Sequence, residues 1–245
     1  DPNKAHVAYY IKNGGKWLDF VNSMENADEI LSDMDIFTAY SRANTISESI
    51  RKGEMNESAY EMIADAIVQH KLPYEVMTSV IGKNKQCWNS LYKVAPYMNM
   101  VRNLNNFIKY GAINDNNVLE AAQRISDPKS VGNSKMFPFR FYTAWKNIDD
   151  QNEITSSSLN VLRHALEKAM ELSVKNVPVL NGNTVVATDV SGSMSSPVTN
   201  NLTDIKCSEI AGIFSAILKK NNPNTMMLRF DYDIVWDIAY KYKNN

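Results

Sequence analysis

Apolar residues recur at the three- and four-residue spacing of an α-helix along most of the chain from Tyr60 to Ala169, and the pattern changes once, after Pro178. Tyr60, Ile63, Ala64 and Ile67 open the series, and Asn56-Glu57-Ser58 before them offers a cap with acid in the first turn. Lys71-Leu72-Pro73-Tyr74 puts a proline where a new helix can begin, with Val76, Met77 and Val80 as its apolar stripe. A third helix is expected from about Pro96, with Met100, Val101, Leu104, Phe107 and Ile108 inward and Gly111 as its stop. A fourth runs from about Asn116 through Val118, Leu119, Ala122 and Ile125 to Asp127-Pro128. Phe137-Pro138-Phe139 opens the next, which continues through Phe141, Tyr142 and Trp145. Ser156-Ser157-Ser158 caps the last, with Leu159, Leu162, Ala165, Leu166 and Ala169 on one face. Helices joined by turns this short predict a stacked helical-hairpin array or an irregular bundle, although no clean sequence period marks a repeat.

Beyond Pro178 the punctuation is that of strands. Asn181-Gly182-Asn183 is a turn signal and Thr184-Val185-Val186-Ala187-Thr188 a short β-rich run. A polar loop follows, then an amphipathic helix expected from about Thr203 to Lys220 with Ile205, Ile210, Phe214 and Ile217. Asn221-Asn222-Pro223-Asn224 breaks it, and Met226 to Phe230 reads as a second strand. This β-α-β order opens a doubly wound, Rossmann-like α/β domain. The expected fold is mainly α: a helical module over residues 1–176, then the first part of an α/β domain over 177–245. The stretch from Asn181 to Asn245 is shorter than the roughly 100–150 residues of such a domain, so the sheet is expected to be incomplete.

Charge is distributed unevenly. The net charge is −1, which taken alone argues against a nucleic-acid partner. Residues 1–70 carry 6 basic and 12 acidic side chains, whereas residues 71–146 carry 11 basic and 4 acidic, net +7. That central island can set up a local field for polyanions, or it can be an ordinary solvated face. No apolar run approaches the roughly 20 residues needed to cross a bilayer, so a soluble chain is expected. The 2 cysteines, Cys87 and Cys207, lie far apart, which favours a reducing, cytoplasmic setting and a role for each as a small buried hydrophobe. The 3 histidines show no ligand spacing, so a zinc site has no support.

Chemistry concentrates at Asp189-Val190-Ser191-Gly192-Ser193, just past the carboxyl end of the first expected strand, where open α/β sheets place ligands. A carboxylate and two hydroxyls in alternating positions suit a hard divalent cation, magnesium above all, with Gly192 permitting the tight turn. A phosphoaspartate enzyme would want an acid where Ser191 stands, and a serine-hydrolase elbow would want glycines on both sides of the nucleophile. Asp231-Tyr232-Asp233 lacks the glycine of an EF-hand. No nucleophile stands with a base, so an enzyme is not expected. The bland alternative is a polar loop whose serines cap the following backbone.

The run from Val185 to Met194 resembles the first segment of the metal-ion-dependent adhesion site of von Willebrand factor A domains. The Leu72-Pro73 helix start, Met100-Val101-Arg102-Asn103-Leu104 and Phe137-Pro138-Phe139 resemble, in that order, the TROVE module of Ro ribonucleoproteins, a family that often has a histidine where Phe137 stands. The likeness extends roughly from Tyr60 to Tyr240. It implies HEAT-like helical repeats in a ring closed by the A domain. It also implies binding of small noncoding RNAs outside the ring and of single-stranded 3′ ends of misfolded RNAs in its hole. Carried over, Asp189, Ser191 and Ser193 would ligate the metal. The family's further Thr and Asp ligands are expected to lack a counterpart because the chain stops first, and Thr203 and Asp204 lie too close to the first loop to replace them.

Candidate RNA contacts follow from the island. Lys83 and Lys85 lie in the turn-like Gly82-Lys83-Asn84-Lys85-Gln86, Arg102 and Asn103 follow an apolar helix face with Lys109 beyond, and Lys135 and Arg140 flank Phe137-Pro138-Phe139. Trp88, Tyr97 and Trp145 can stack bases or fill the core. The leading expectation is a noncatalytic RNA-binding protein. The alternative is adhesion or assembly through the A domain, with a partner's carboxylate completing the metal shell.

Overall fold

A computed structural model describes residues 35–148, 154–198, 205–231 and 234–236. The chain divides into two compact units, one built on residues up to Asp115 with Gln151–Ile154, the other on Asn116–Asp150 and Thr155–Asn245. Among the described residues no helix is long and apolar enough to cross a membrane.

The described part of the first unit is helical: α1 (Asp35–Arg51), α2 (Tyr60–His70), α3 (Tyr74–Val80), α4 (Lys85–Val94), α5 (Tyr97–Arg102) and α6 (Leu104–Lys109). Helix α2 packs against both α1 and α4, burying Ile63, Ala64 and Ile67, the stripe expected from spacing. It ends at Lys71, which holds the left-handed conformation at φ 51° and so releases Leu72-Pro73 to start α3. The carbonyls that end α3 are answered from α1. The Arg51 guanidinium donates to the Ser79 and Val80 carbonyls at 2.6 and 3.3 Å, and the Ser47 hydroxyl donates to Val80 as well. The helix expected from Pro96 to Gly111 is divided into α5 and α6. At Asn103 φ is −112°, and its side-chain amide donates to the Asn99 carbonyl at 2.9 Å, bending the ladder there.

Phe107 sits at the centre of the aromatic packing. It is fully buried, with the rings of Tyr74, Trp88 and Tyr92 edge-on at centroid distances of 5.7, 5.9 and 5.5 Å. Cys87, one residue before Trp88, is buried as expected, and burial pushes its thiol up to about 12.

The second unit begins with α7 (Val118–Ile125), α8 (Pro128–Ser134), α9 (Pro138–Asn147) and α10 (Ser156–Ser173). Helix α10 packs against the other three, burying Leu159, Leu162, Ala165, Leu166 and Ala169. Its cap is Thr155, whose hydroxyl accepts from the Ser158 backbone N–H at 3.3 Å, one residue earlier than the serine run suggests. Then come β1 (Thr184–Asp189), α11 (Cys207–Asn221), β2 (Thr225–Phe230) and β3 (Ile234–Trp236). Strands β1 and β2 pair in parallel, Thr184 with Thr225 through Asp189 with Phe230, as the β-α-β reading requires. Strand β3 pairs antiparallel with β2 and lies beyond the elements that the sequence pattern predicts. Helix α11 packs on the face carrying Thr188, whose hydroxyl meets that of Ser215. Val185 at 56% and Met226 at 39% exposure lie on the other face.

The expected boundary between residues 176 and 177 falls inside this second unit. The Asn221 amide of α11 donates to the Val174 and Val177 carbonyls at 2.8 and 3.1 Å, and Phe214 meets Phe137 and Phe139 at centroid distances of 6.0 and 5.0 Å. Phe137-Pro138-Phe139 is thus a packing seam between the helical segment and the helix of the sheet.

Helix α8 supplies a pH-dependent test. The Asp127 carboxylate accepts from the Ser130 backbone N–H at 2.7 Å, and hydrogen bonds from Ser130 hold it below the usual carboxylate range. A lowered native value contributes stability that is present above the unfolded value of about 4 and is lost as pH falls through the native one. Asp127→Asn keeps a capping oxygen without the charge. The parent chain's advantage over this variant in urea midpoint is expected to shrink as pH falls from 6 to below 3; an equal gap at both ends would contradict the assignment.

Candidate functional site

Five of the expected contact residues lie in the first unit. Lys83 projects from the turn between α3 and α4 and is exposed. That turn is held by the Trp88 indole N–H, which donates to the Gly82 carbonyl at 2.9 Å, and by Gly82 itself at φ 55°. Lys85 is also exposed, but it is the first residue of α4 rather than part of a loop, because Asn84 caps the helix by accepting from the Cys87 N–H at 3.0 Å. Arg102 ends α5 and Lys109 ends α6, both exposed. The Lys109 ammonium stands 5.8 Å from the centroid of Tyr110, whose ring stacks on Trp88 at 4.4 Å and 18°. Asn103 is half-buried, and its amide donor serves its own helix.

Lys135 and Arg140 belong to the second unit. Lys135 terminates α8 in the left-handed conformation at φ 54° and is exposed. The exposed Arg140 guanidinium lies 4.8 Å from the Phe139 ring centroid.

The aromatic residues part company. Trp88 is 3% exposed, so it belongs to the core and offers no face to a base. Tyr97 is half-buried. Trp145 is half-exposed, at the mouth of a cleft on α9 and α10 that Asn160, Arg163, His164 and Glu167 complete. The Trp145 indole N–H donates to Glu167 at 3.2 Å, and the Arg163 guanidinium lies 5.9 Å from its ring centroid. Residue spacing alone marks Trp145 as an aromatic on a helix; the cleft depends on α10, more than a dozen residues away in the chain.

The Asp189 loop has its own order. After β1, the Val190 N–H donates to the Phe230 carbonyl at 2.9 Å, extending the ladder, and Gly192–Ser195 turns as a short 3-10 helix. A bridge between Pro197 and Lys206 returns the chain to the start of α11. The Ser191 N–H donates to Asp189 Oδ1 at 2.9 Å, and the Ser191 and Ser193 hydroxyl oxygens are 3.2 Å apart. Hydrogen bonds from Ser191, its hydroxyl above all, hold Asp189 below the usual carboxylate range, so it is anionic at neutral pH. The expected oxygens are thus on one loop, with the charge a hard cation needs, and the donor set fits a partial magnesium site. Among the described residues no group of three His, Cys, Asp or Glu side chains adds to it. Thr203 and Asp204 lie outside the described residues.

A helical module with exposed cations at its helix ends, followed by a small mixed sheet, is the class this chain presents, and the model of the TROVE domain matches residues 73–160. The RNA-binding protein RO60 of Caenorhabditis elegans is 28% identical over 195 residues, covering 78% of this chain and 30% of that protein. The crystal structure of the Deinococcus radiodurans RO (RSR) protein superposes with a TM-score of 0.57 at 20% identity, over 71% of this chain and 36% of that one, a likeness of fold. The TROVE match and the Caenorhabditis elegans relative uphold the resemblance to Ro ribonucleoproteins read from the sequence, and the superposition adds a likeness of fold. The chain spans about a third of the length of either relative.

Proposed function

We propose that this chain is the RNA-contacting part of a noncatalytic Ro-type protein, which holds small noncoding RNAs and the single-stranded 3′ ends of misfolded RNAs against its basic helix ends. The observation that carries the reading is positional. Lys83, Lys85, Arg102, Asn103, Lys109, Lys135 and Arg140 all fall within the residues matched by the TROVE model, and every cation among them is exposed. A relative named as an RNA-binding protein supports the same partner. RNA affinity of this kind comes mainly from phosphate charge, which lysines and arginines on helix ends and turns can meet without deforming the fold. A HEAT-like stacking of the helices, an A-domain character for the sheet, magnesium at Asp189, Ser191 and Ser193 and a cytoplasmic setting complete the proposal.

The test is fluorescence anisotropy with a hairpin RNA bearing a single-stranded 3′ tail, against the same hairpin blunt-ended, at several salt concentrations. Salt-sensitive binding that prefers the tail is the expected result. Absence of binding at low salt would refute the reading. The Asp189 loop, with its carboxylate and hydroxyls gathered in one turn, would then make metal-dependent assembly with a partner's carboxylate the leading idea.

A further inference from the structure

The open cleft between α9 and α10 has a volume of about 470 Å³, and every residue lining it is polar or aromatic. Of these residues, the sequence pattern singles out Trp145 alone, as a stacking candidate. Tyr142 and Trp145, one helical turn apart on α9, have nearly parallel rings, with 7° between planes and centroids 6.5 Å apart. The plane of the indole is set by its hydrogen bond to Glu167, and that carboxylate also meets His164 Nδ1 at 3.4 Å. Arg163 is anchored by donating to the Ile148 carbonyl at 3.0 Å, with its guanidinium 5.9 Å from the indole centroid. Asn160 lies one turn before His164 on α10 and is exposed.

We propose that Trp145, Arg163, Glu167 and Asn160 form a pocket for one unpaired guanine base of a single-stranded RNA, an inference that rests on the RNA-contacting reading above. The indole offers a rigid π-face, and stacking on such a face is the common means of holding a splayed-out base. An ionised carboxylate only accepts hydrogen bonds, and its two oxygens have capacity beyond the bonds they already make. Guanine presents adjacent imino and amino donors on its Watson–Crick edge, which match a carboxylate; uracil presents carbonyls on either side of its single imino donor, which such a carboxylate repels. Asn160 brings both a donor and an acceptor to the same opening, and Arg163 offers its remaining N–H groups to the flanking phosphate. Stacking by itself is indifferent to sequence, so base choice falls to Glu167 and Asn160.

The experiment uses the whole chain and two fluorescent pentamers, UUGUU and UUUUU, in anisotropy titrations, with thermal melts of each variant as a control. The parent chain is expected to prefer UUGUU by about tenfold, the scale of one good bidentate base contact. Trp145→Ala is expected to weaken UUGUU binding by about tenfold without changing its salt slope, because stacking releases no counterions. Trp145→Phe should recover most of that loss, and Glu167→Gln should abolish the preference for UUGUU over UUUUU, because the amide no longer repels the uracil carbonyls. A Trp145→Ala chain that melts like the parent and binds UUGUU equally well overturns the pocket. If that variant melts early, Glu167→Gln decides the question, and an undiminished preference there overturns the pocket too. Should the tailed hairpin bind while neither pentamer does, the pocket is refuted and the RNA reading stands; should no RNA bind, both fall.

Discussion

A chain with Lys83, Lys85, Arg102 and Arg140 all replaced by alanine is expected to bind the tailed hairpin on the order of a hundredfold more weakly at physiological salt than the parent chain. All four are exposed, Lys83 in the turn before α4 and the others at the ends or first turns of helices, where removal of charge leaves the buried stripes untouched. Folding should therefore survive, and circular dichroism checks that it does. The slope of log affinity against log salt is the more telling quantity. Each phosphate contact on a single strand accounts for about 0.7 of that slope, so losing four contacts should flatten it by about 3. A variant with the parent's affinity and slope would show that these cations only solvate the surface. A lower affinity with an unchanged slope would point to a disturbed fold instead.

Phe107→Ala carries the largest expected effect on stability, a loss of about 3–5 kcal/mol, typical of a buried phenylalanine truncated to a methyl. Three aromatic edges face this ring, and they cannot collapse together into the space it leaves without leaving their own positions. The cost should fall on the first unit. Near-ultraviolet circular dichroism in urea reports this aromatic cluster directly. Retention of the parent's aromatic signal and midpoint would show that the ring is not the centre of this packing.

Large apolar stripes are legible in the sequence; elements built from small residues are not. Ile63, Ala64 and Ile67 announce α2, and Pro73 and Pro138 mark helix starts because proline at the first turn loses no hydrogen bond. Helix α1 escapes the pattern since its described buried positions are Ala39, Ala43 and Ser47, a four-residue spacing of side chains too small to stand out from the serines and threonines around them. Helix α4 is masked by its beginning: Gly82 and Asn84 are turn residues, and only the capping bond of Asn84 shows that the turn ends there. Strand β3 is three residues long and has no alternation to detect. At the Asp189 loop the chemistry is local in sequence, so spacing suffices. The Trp145 cleft joins two helices, and such proximity is written in packing rather than in spacing.

The contrast between the two thiols has a practical side. Buried Cys87, with its thiol pushed up to about 12, stays protonated at neutral pH, and an alkylating reagent needs the thiolate. Cys207 is half-buried at the first turn of α11 and is the other cysteine of the chain. A maleimide fluorophore added to the native protein would therefore settle on one position, at the start of the helix that packs on the sheet. The unaltered sequence thus contains its own attachment point for an optical reporter, and no engineered cysteine is needed to watch RNA arrive from the protein's side.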